Sequence, residues 1–432
     1  MSRTLRTCLG AILAFALYSP ALAEDFSAAT AGAPLTLDRA LALALAEARH
    51  PELSAAQEEI LAREAELGQA ALRPNPTLDL ELENFAGSGE FSGADGIETT
   101  LLLTQPIELG GKRERRRQSA EIALERSRAE QEIARSDLTA RTADRFLAVL
   151  AAQKRLLLTQ SQVDLARRSL AAVEDRVAAG QAPATEIHRA RLAVIELELE
   201  ISREEGELAA ARLELAGLLG VDADACVVAG ELSPLPAPPL LEDLAAELTE
   251  SPGQRQKQLL IEERRRELAL EQALGTPDLD LSLGGRYFNE DNDGALIAGF
   301  SLPLPLFDRN QGKIAAAGHR RNQAQAEAES SLQAARAALA RAWQQLENAR
   351  KRAAILDDQL LPTAEAAFAA AEYGYRAGKF PLFDVLDAQR TLIDLRQRRL
   401  AALIDDRQAR IEIERLLGRP LAAATAKEND PS

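Results

Sequence analysis

Carboxylates at alternating positions are the residues best placed to do chemistry in this chain. In Thr77-Leu78-Asp79-Leu80-Glu81-Leu82-Glu83, period-two alternation puts Asp79, Glu81 and Glu83 on one side of an extended strand and the leucines on the other. Asp278, Asp280 and Ser282 alternate with Leu279, Leu281 and Leu283 in the same way. A carboxylate row facing confined water attracts cations and repels anions. That chemistry is passive: no nucleophile stands beside a base, no paired acids mark a pocket and no cofactor loop is present, so neither an enzyme nor a cofactor is expected.

Other polar groupings read as structural. His50, His188 and His319 are the only histidines, and none has a second ligand at helical spacing, so no metal site is expected. Asn289, Asp291 and Asp293-Gly294 imitate the start of a calcium loop, but the twelfth position is Phe300, and the segment reads as a polar external turn. Gly110-Gly111-Lys112 lacks the earlier glycine and the following Ser or Thr of a phosphate loop; it reads as a strand-to-helix turn. Lys112, Arg113, Arg115, Arg116 and Arg117 form a basic cluster whose partners would be lipid phosphates or water. Trp343 and Cys226 carry no functional signal.

The elements that must position the carboxylates are long helices. Of 432 residues, 46% are hydrophobic but only 4% aromatic, a composition that suits helical rods better than a compact barrel or sandwich enzyme. A formal charge of -16 argues against a nucleic-acid partner. With Cys8 in a segment expected to be removed, Cys226 has no intramolecular partner, which excludes a disulfide framework. Residues 1–23 carry Arg3 and Arg6, an apolar run from Cys8 to Tyr18, and Ala21-Leu22-Ala23 before Glu24. They read as a secretory signal cleaved near Ala23, and Cys8 lacks the small residues that precede a lipidated cysteine. No other run is long enough for a membrane helix, whereas a membrane β-barrel has only short, weakly marked strands.

An internal repeat organises the rest. Two units, 24–230 and 231–421, share one order of signals: a helical stretch, a proline-marked break, two strands, a very long helix and a return helix, with 422–432 left as a tail. The strands are expected at about 77–85 and 97–105, then 278–287 and 296–304. The long helices are expected at about 112–177 and 313–376, and the return helices at 184–219 and 382–417. Gly180 aligns with Gly378 and Gly220 with Gly418. Residues 112–177 contain neither Pro nor Gly, so that helix could run roughly 100 Å. Pro362 should kink its counterpart. The fold class is therefore mainly α with a small transmembrane β part, built as a duplicated strand-strand-long-helix-helix repeat.

Four strands cannot close alone, and an open sheet in lipid would leave backbone groups unpaired. Small barrels need about eight strands, so two, three or four chains could close one. With Leu78, Leu80 and Leu82 against lipid, Thr77, Asp79, Glu81, Glu83, Asp278, Asp280 and Ser282 would face an acidic lumen. A soluble hairpin with its leucines inward is the competing reading.

The chain also resembles a known family over nearly its whole expected mature length. Leu35-Thr36-Leu37-Asp38-Arg39-Ala40-Leu41, Asn75-Pro76 before a strand, Glu83-Asn84-Phe85, Gln105-Pro106-Ile107-Glu108-Leu109-Gly110-Gly111-Lys112-Arg113, and the stretch Leu302-Pro303-Leu304-Pro305-Leu306-Phe307-Asp308-Arg309-Asn310-Gln311-Gly312 resemble the outer-membrane efflux proteins of the TolC superfamily. The last two stretches are most similar to its CzcC-like branch. The resemblance implies a homotrimer in the cell outer membrane, with a 12-stranded β-barrel continuous with a periplasmic α-helical barrel. It further implies docking to a periplasmic adaptor and an inner-membrane pump of the resistance-nodulation-division (RND) type that exports divalent heavy-metal cations. Gly110, Gly111, Lys112, Pro305, Asp308, Asn310 and Gly312 would then be strand-to-helix turn motifs. A periplasmic gate is implied at Asp384 and Asp387, with Tyr375 where a gate tyrosine is found and Phe380, beside Lys379, where the family has a basic partner. Two alternatives stand beside this reading: a duct for drugs or type I secretion, and a soluble periplasmic coiled-coil scaffold.

Overall fold

The computed structural model describes residues 34–45, 50–89 and 95–421. The expected leader and the 422–432 tail lie outside the described residues.

Helix α1 (Leu37–Ala44) starts at Thr36, whose hydroxyl accepts the Arg39 amide at 3.4 Å. Helix α2 (Pro51–Ala70) opens on a proline whose missing N–H costs nothing in a first turn. Strands β1 (Thr77–Glu83) and β2 (Glu98–Ile107) follow, then α3 (Lys112–Ala178) and its return α4 (Thr185–Leu219). The second half repeats the order after a short α5 (Leu241–Glu247): α6 (Pro252–Leu274), β3 (Leu279–Phe288), β4 (Asp293–Ser301), α7 (Gln311–Ile355), α8 (Leu361–Arg376) and α9 (Leu382–Leu417).

At 67 residues, α3 spans about 100 Å. Its partner in the second half is broken. A π turn at Leu356–Leu360 separates α7 from α8, immediately before Pro362, which has no N–H to give the preceding turn and crowds its carbonyl. Helix α4 packs along α3 and α9 along α7 and α8, while α2 and α6 lie against the strand-proximal parts of the long helices. Among the described residues no helix is long and apolar enough to cross a membrane.

The core is stretched along the rod. One buried cluster gathers Leu53, Leu138, Phe146, Leu215 and Cys226, and another, toward the helix turns, gathers Val173, Phe368, Tyr375, Leu382 and Leu392. Alanines such as Ala151, Ala342, Ala349 and Ala402 are also buried along the rod, and their small side chains let backbones approach closely. The 220–240 connection crosses the bundle. Leu35 bridges to Val228, Trp343 Nε1 donates to the Pro239 carbonyl at 3.1 Å, and Arg407 and Arg410 donate to the Ser233 and Pro236 carbonyls. Trp343 and Cys226 thus serve packing.

All four strands join one antiparallel sheet in the order β1-β2-β3-β4. Besides the two hairpins, β2 of the first half pairs with β3 of the second, so the sheet welds the halves together. Among the described residues, the outer edges of β1 and β4 are unpaired. The first strand ends at Glu83 rather than residue 85 because Asn84 takes φ 58°, leaving extended geometry. The fourth occupies 293–301, not 296–304. The turn at Asn292, with φ 55°, is tight enough to start the strand early, and Pro303 and Pro305 have no donors to prolong it.

Candidate functional site

The strand register builds two unlike faces. Leu78 and Leu80 lie opposite Leu103 and Leu101, which in turn face Leu283 and Gly285, and these pair with Ala298 and Leu296. The apolar side chains of this face point outward into open space: Leu80 is 65% exposed, Leu296 92% and Phe300 78%. Such a continuous apolar face is far larger than the scattered exposed leucines of an ordinary surface.

The opposite face is polar and brings Asp79, Glu81, Glu83 and Asp280 together. Its rows run Asp79–Leu102–Gly284, then Glu81–Thr100–Arg286, then Glu83–Glu98–Phe288 toward the turns. Arg286, unremarked in the sequence reading, is the one basic residue in the four strands. Its guanidinium pairs with Glu98 at 2.9 Å and Glu83 at 3.0 Å and donates to the Thr100 hydroxyl at 3.0 Å. The face is therefore acidic with one compensating cation.

Asp278 does not join it. Its Oδ1 accepts from Lys112 Nζ at 2.7 Å and from the Leu109 amide at 3.1 Å, so it ties the start of α3 to the second half. Part of the basic cluster is likewise engaged within the chain. Lys112 is 5% exposed, Arg116 pairs with Glu108, and Arg117 pairs with Glu114 and Glu121. These three cations are engaged by neighbouring carboxylates, whereas Arg113 and Arg115 are exposed and stay open to lipid phosphates or water.

The strand-to-helix turns use left-handed backbone. Gly110 and Gly111 have φ of 70° and 72°. At Gly110 a β-carbon would lie 2.9 Å from Thr276 Oγ1, so only glycine lets the two halves meet there. In the second half Asn310 takes the left-handed position at φ 61°. The Asp308 carboxylate accepts the Asn310 amide at 2.9 Å, and Asn310 Nδ2 donates to Glu271 Oε2 at 2.6 Å. Pro305 offers its carbonyl to Arg309 Nε at 3.2 Å, and Gly312 lies in the first turn of α7.

At the far end, the α3–α4 and α8–α9 turns are clasped together. Tyr375 is 3% exposed. Its hydroxyl donates to Glu186 Oε2 at 2.7 Å, while Arg176 stacks 4.2 Å from its ring centroid and donates to its carbonyl. Burial and the Glu186 carboxylate push the phenol up to about 12, so it stays protonated at neutral pH. Arg176 and Glu186 were missed in the sequence because their partner lies in the other repeat, 199 and 189 residues away.

Phe380 caps its own turn rather than joining a hydrogen-bonded lock. Its ring lies where a β-carbon on Gly374 would be, 2.1 Å from Cδ2, so glycine at 374 makes room for it. Asp384 and Asp387 sit one helical turn apart at the start of α9, both exposed, and neither has an ion-pair partner among the described residues. Phe383 beside them is 69% exposed. Among the described residues no group of three or more His, Cys, Asp or Glu side chains is arranged to hold a metal ion.

This architecture occurs in known proteins. The chain superposes on the outer membrane protein VceC of Vibrio cholerae with a TM-score of 0.73 at 19% identity, covering 89% of this chain and 97% of that one. It superposes on CusC with a TM-score of 0.72 at 19% identity, covering 89% and 92%. In sequence it is 37% identical over 390 residues to the cobalt-zinc-cadmium resistance protein CzcC of Cupriavidus metallidurans, covering 90% of this chain and 91% of that one. It is 28% identical over 297 residues to the nickel and cobalt resistance protein CnrC of the same organism, covering 69% of each. The outer membrane efflux protein profile matches residues 42–221 and 245–419, one match in each repeat, and on these grounds the chain belongs to the outer membrane efflux protein family.

Proposed function

We propose that this protein is the outer-membrane exit duct of a tripartite efflux system that carries divalent heavy-metal cations to the exterior. The observation that carries the reading is the four-stranded sheet, apolar on one exposed face, carboxylate-bearing on the other and unpaired at both edges. In lipid those edges must find partners, and further copies of the same chain supply them. Three copies give a 12-stranded barrel, with the apolar face to lipid and Asp79, Glu81, Glu83 and Asp280 lining the lumen. The roughly 100 Å helices continue it as a periplasmic tunnel. Exposed Leu192, Ile195, Leu199 and Leu213 on α4 give that tunnel an apolar stripe through which neighbouring copies can pack.

At the tip, Asp384 and Asp387 repeat by symmetry as carboxylate rings that admit cations, and Tyr375 and Phe380 hold the turn that carries them. A periplasmic adaptor docks at this end and an RND pump in the inner membrane supplies the energy. The leader at residues 1–23 directs export and is removed near Ala23 without lipidation. Nothing in this duct performs bond chemistry. Similarity to CzcC, named for cobalt, zinc and cadmium resistance, supports the cargo, since the duct's acidic face suits cations but does not choose among them.

The test is deletion of the gene in its host, followed by measurement of cell-associated Zn, Co, Cd, Ni and Cu after metal challenge beside a drug panel. Accumulation of one or more divalent metals without drug sensitivity is the expected result. Drug sensitivity alone would overturn the cargo while keeping the duct, and no change in either would overturn both.

A further inference from the structure

Glu83 and Glu98 are direct register partners at the end of the sheet remote from the helices. Two carboxylates placed opposite each other on one face repel. Arg286 reaches from the neighbouring row of β3 to both, while Asn84 Nδ2 approaches the other Glu98 oxygen at 3.4 Å. Nearer the helices, Asp79 and Asp280 have no such cation among the described residues. The polar face is therefore graded: free carboxylates inward, and a contact-compensated pair toward the turns. A conducting path must bind an ion well enough to admit it and weakly enough to release it.

We propose that Arg286 sets the charge of the outer mouth of the duct, weakening cation retention at the point of exit. The inference rests on reading the carboxylate-bearing face as the lumen. In a trimer the three Arg286 side chains would form a ring, compensating a second ring of paired Glu83 and Glu98. Their removal would leave that second ring as a bare anionic collar.

The test is single-channel recording of the full protein in planar bilayers, with hexamminecobalt(III), an inert trivalent cation, added from the strand side or the helix-tip side. Arg286→Gln should lower the half-blocking concentration from the strand side by about threefold or more, because removal of nearby cations deepens the local potential. Block from the tip side should not change, and Arg286→Lys should behave like the wild type. Equal change from both sides, no change in assembled channels, or identical behaviour of the Lys and Gln variants would overturn the proposal. If Arg286→Gln does not assemble, Glu83→Gln with Glu98→Gln supplies the converse: strand-side block should weaken, and unchanged block would overturn the proposal. Wild-type protein that forms no channel would instead overturn the lumen reading beneath it.

Discussion

At the scale of single residues, the carboxylates separate by their partners. Asp278 is consumed by Lys112 and Glu83 by Arg286, whereas Asp384 and Asp387 are exposed at the tip and unpaired among the described residues. Free carboxylates hold mobile cations, while paired ones hold the fold. Asp384→Ala combined with Asp387→Ala should therefore raise single-channel conductance and weaken block by multivalent cations added at the tip; unchanged conductance and block would remove these residues from the constriction. Tyr375→Phe deletes the 2.7 Å bond to Glu186 and should cost about 1 to 2 kcal/mol, read as a lower thermal midpoint. The pH dependence has a definite sign. The phenol is pushed up from its ordinary 10 to about 12, so its contribution is complete below about pH 10 and fades as pH rises through 12. In an absorbance titration at alkaline pH, the component lost in Tyr375→Phe should be centred near 12. Arg176, Glu186 and Arg286 could not be picked out of the sequence, since each pairs across the two repeats or across strands and no local spacing marks it.

At the scale of elements, the strands and the turns that join them to the helices are the exacting parts. Leu80 is 65% exposed in the middle of β1, on the face assigned to lipid. Leu80→Arg should impair assembly by roughly 2 to 4 kcal/mol near the membrane midplane, seen as loss of trimer from the outer-membrane fraction; normal yield would mean the faces are reversed. The paired glycines offer a finer comparison. Gly110 and Gly111 share nearly the same φ, but only a β-carbon at 110 meets a neighbour, Thr276 Oγ1 at 2.9 Å. Gly111→Ala should cost about 1 to 2 kcal/mol for left-handed backbone alone, and Gly110→Ala measurably more in the same thermal unfolding assay. The break in the second long helix was legible as Pro362. Its form was not: a π turn at Leu356–Leu360 depends on how the chain repacks around a missing donor, which the proline alone does not specify.

At the scale of the whole molecule, the single chain is an incomplete object. Its sheet has two free edges, β1 and β4, and its apolar strand face and α4 stripe are uncovered. If copies close these edges, one cysteine on β1 and one on β4 of the same chain, scanned along the strands, should cross-link between molecules and give a ladder ending at three. A ladder ending at two or four would replace the trimer, and intrachain closure alone would overturn it.

Period-two leucines and carboxylates, the Pro- and Gly-free run from 112 to 177 and the paired signals of the repeat all state themselves in local order. Local order governs which residues share a strand face or a helix, so helix content, the number and approximate places of the strands and the acidic alternation were readable without coordinates. The tertiary structure decided what depends on contacts far apart in the chain. It joined β2 to β3 across the repeats, gave Asp278 to Lys112 at a separation of 166 residues, brought Arg286 to Glu98 at 188, and closed Arg176 and Glu186 on Tyr375. Periodicity fixes the direction of a side chain relative to its own element, but only the packing of elements fixes which charge it meets.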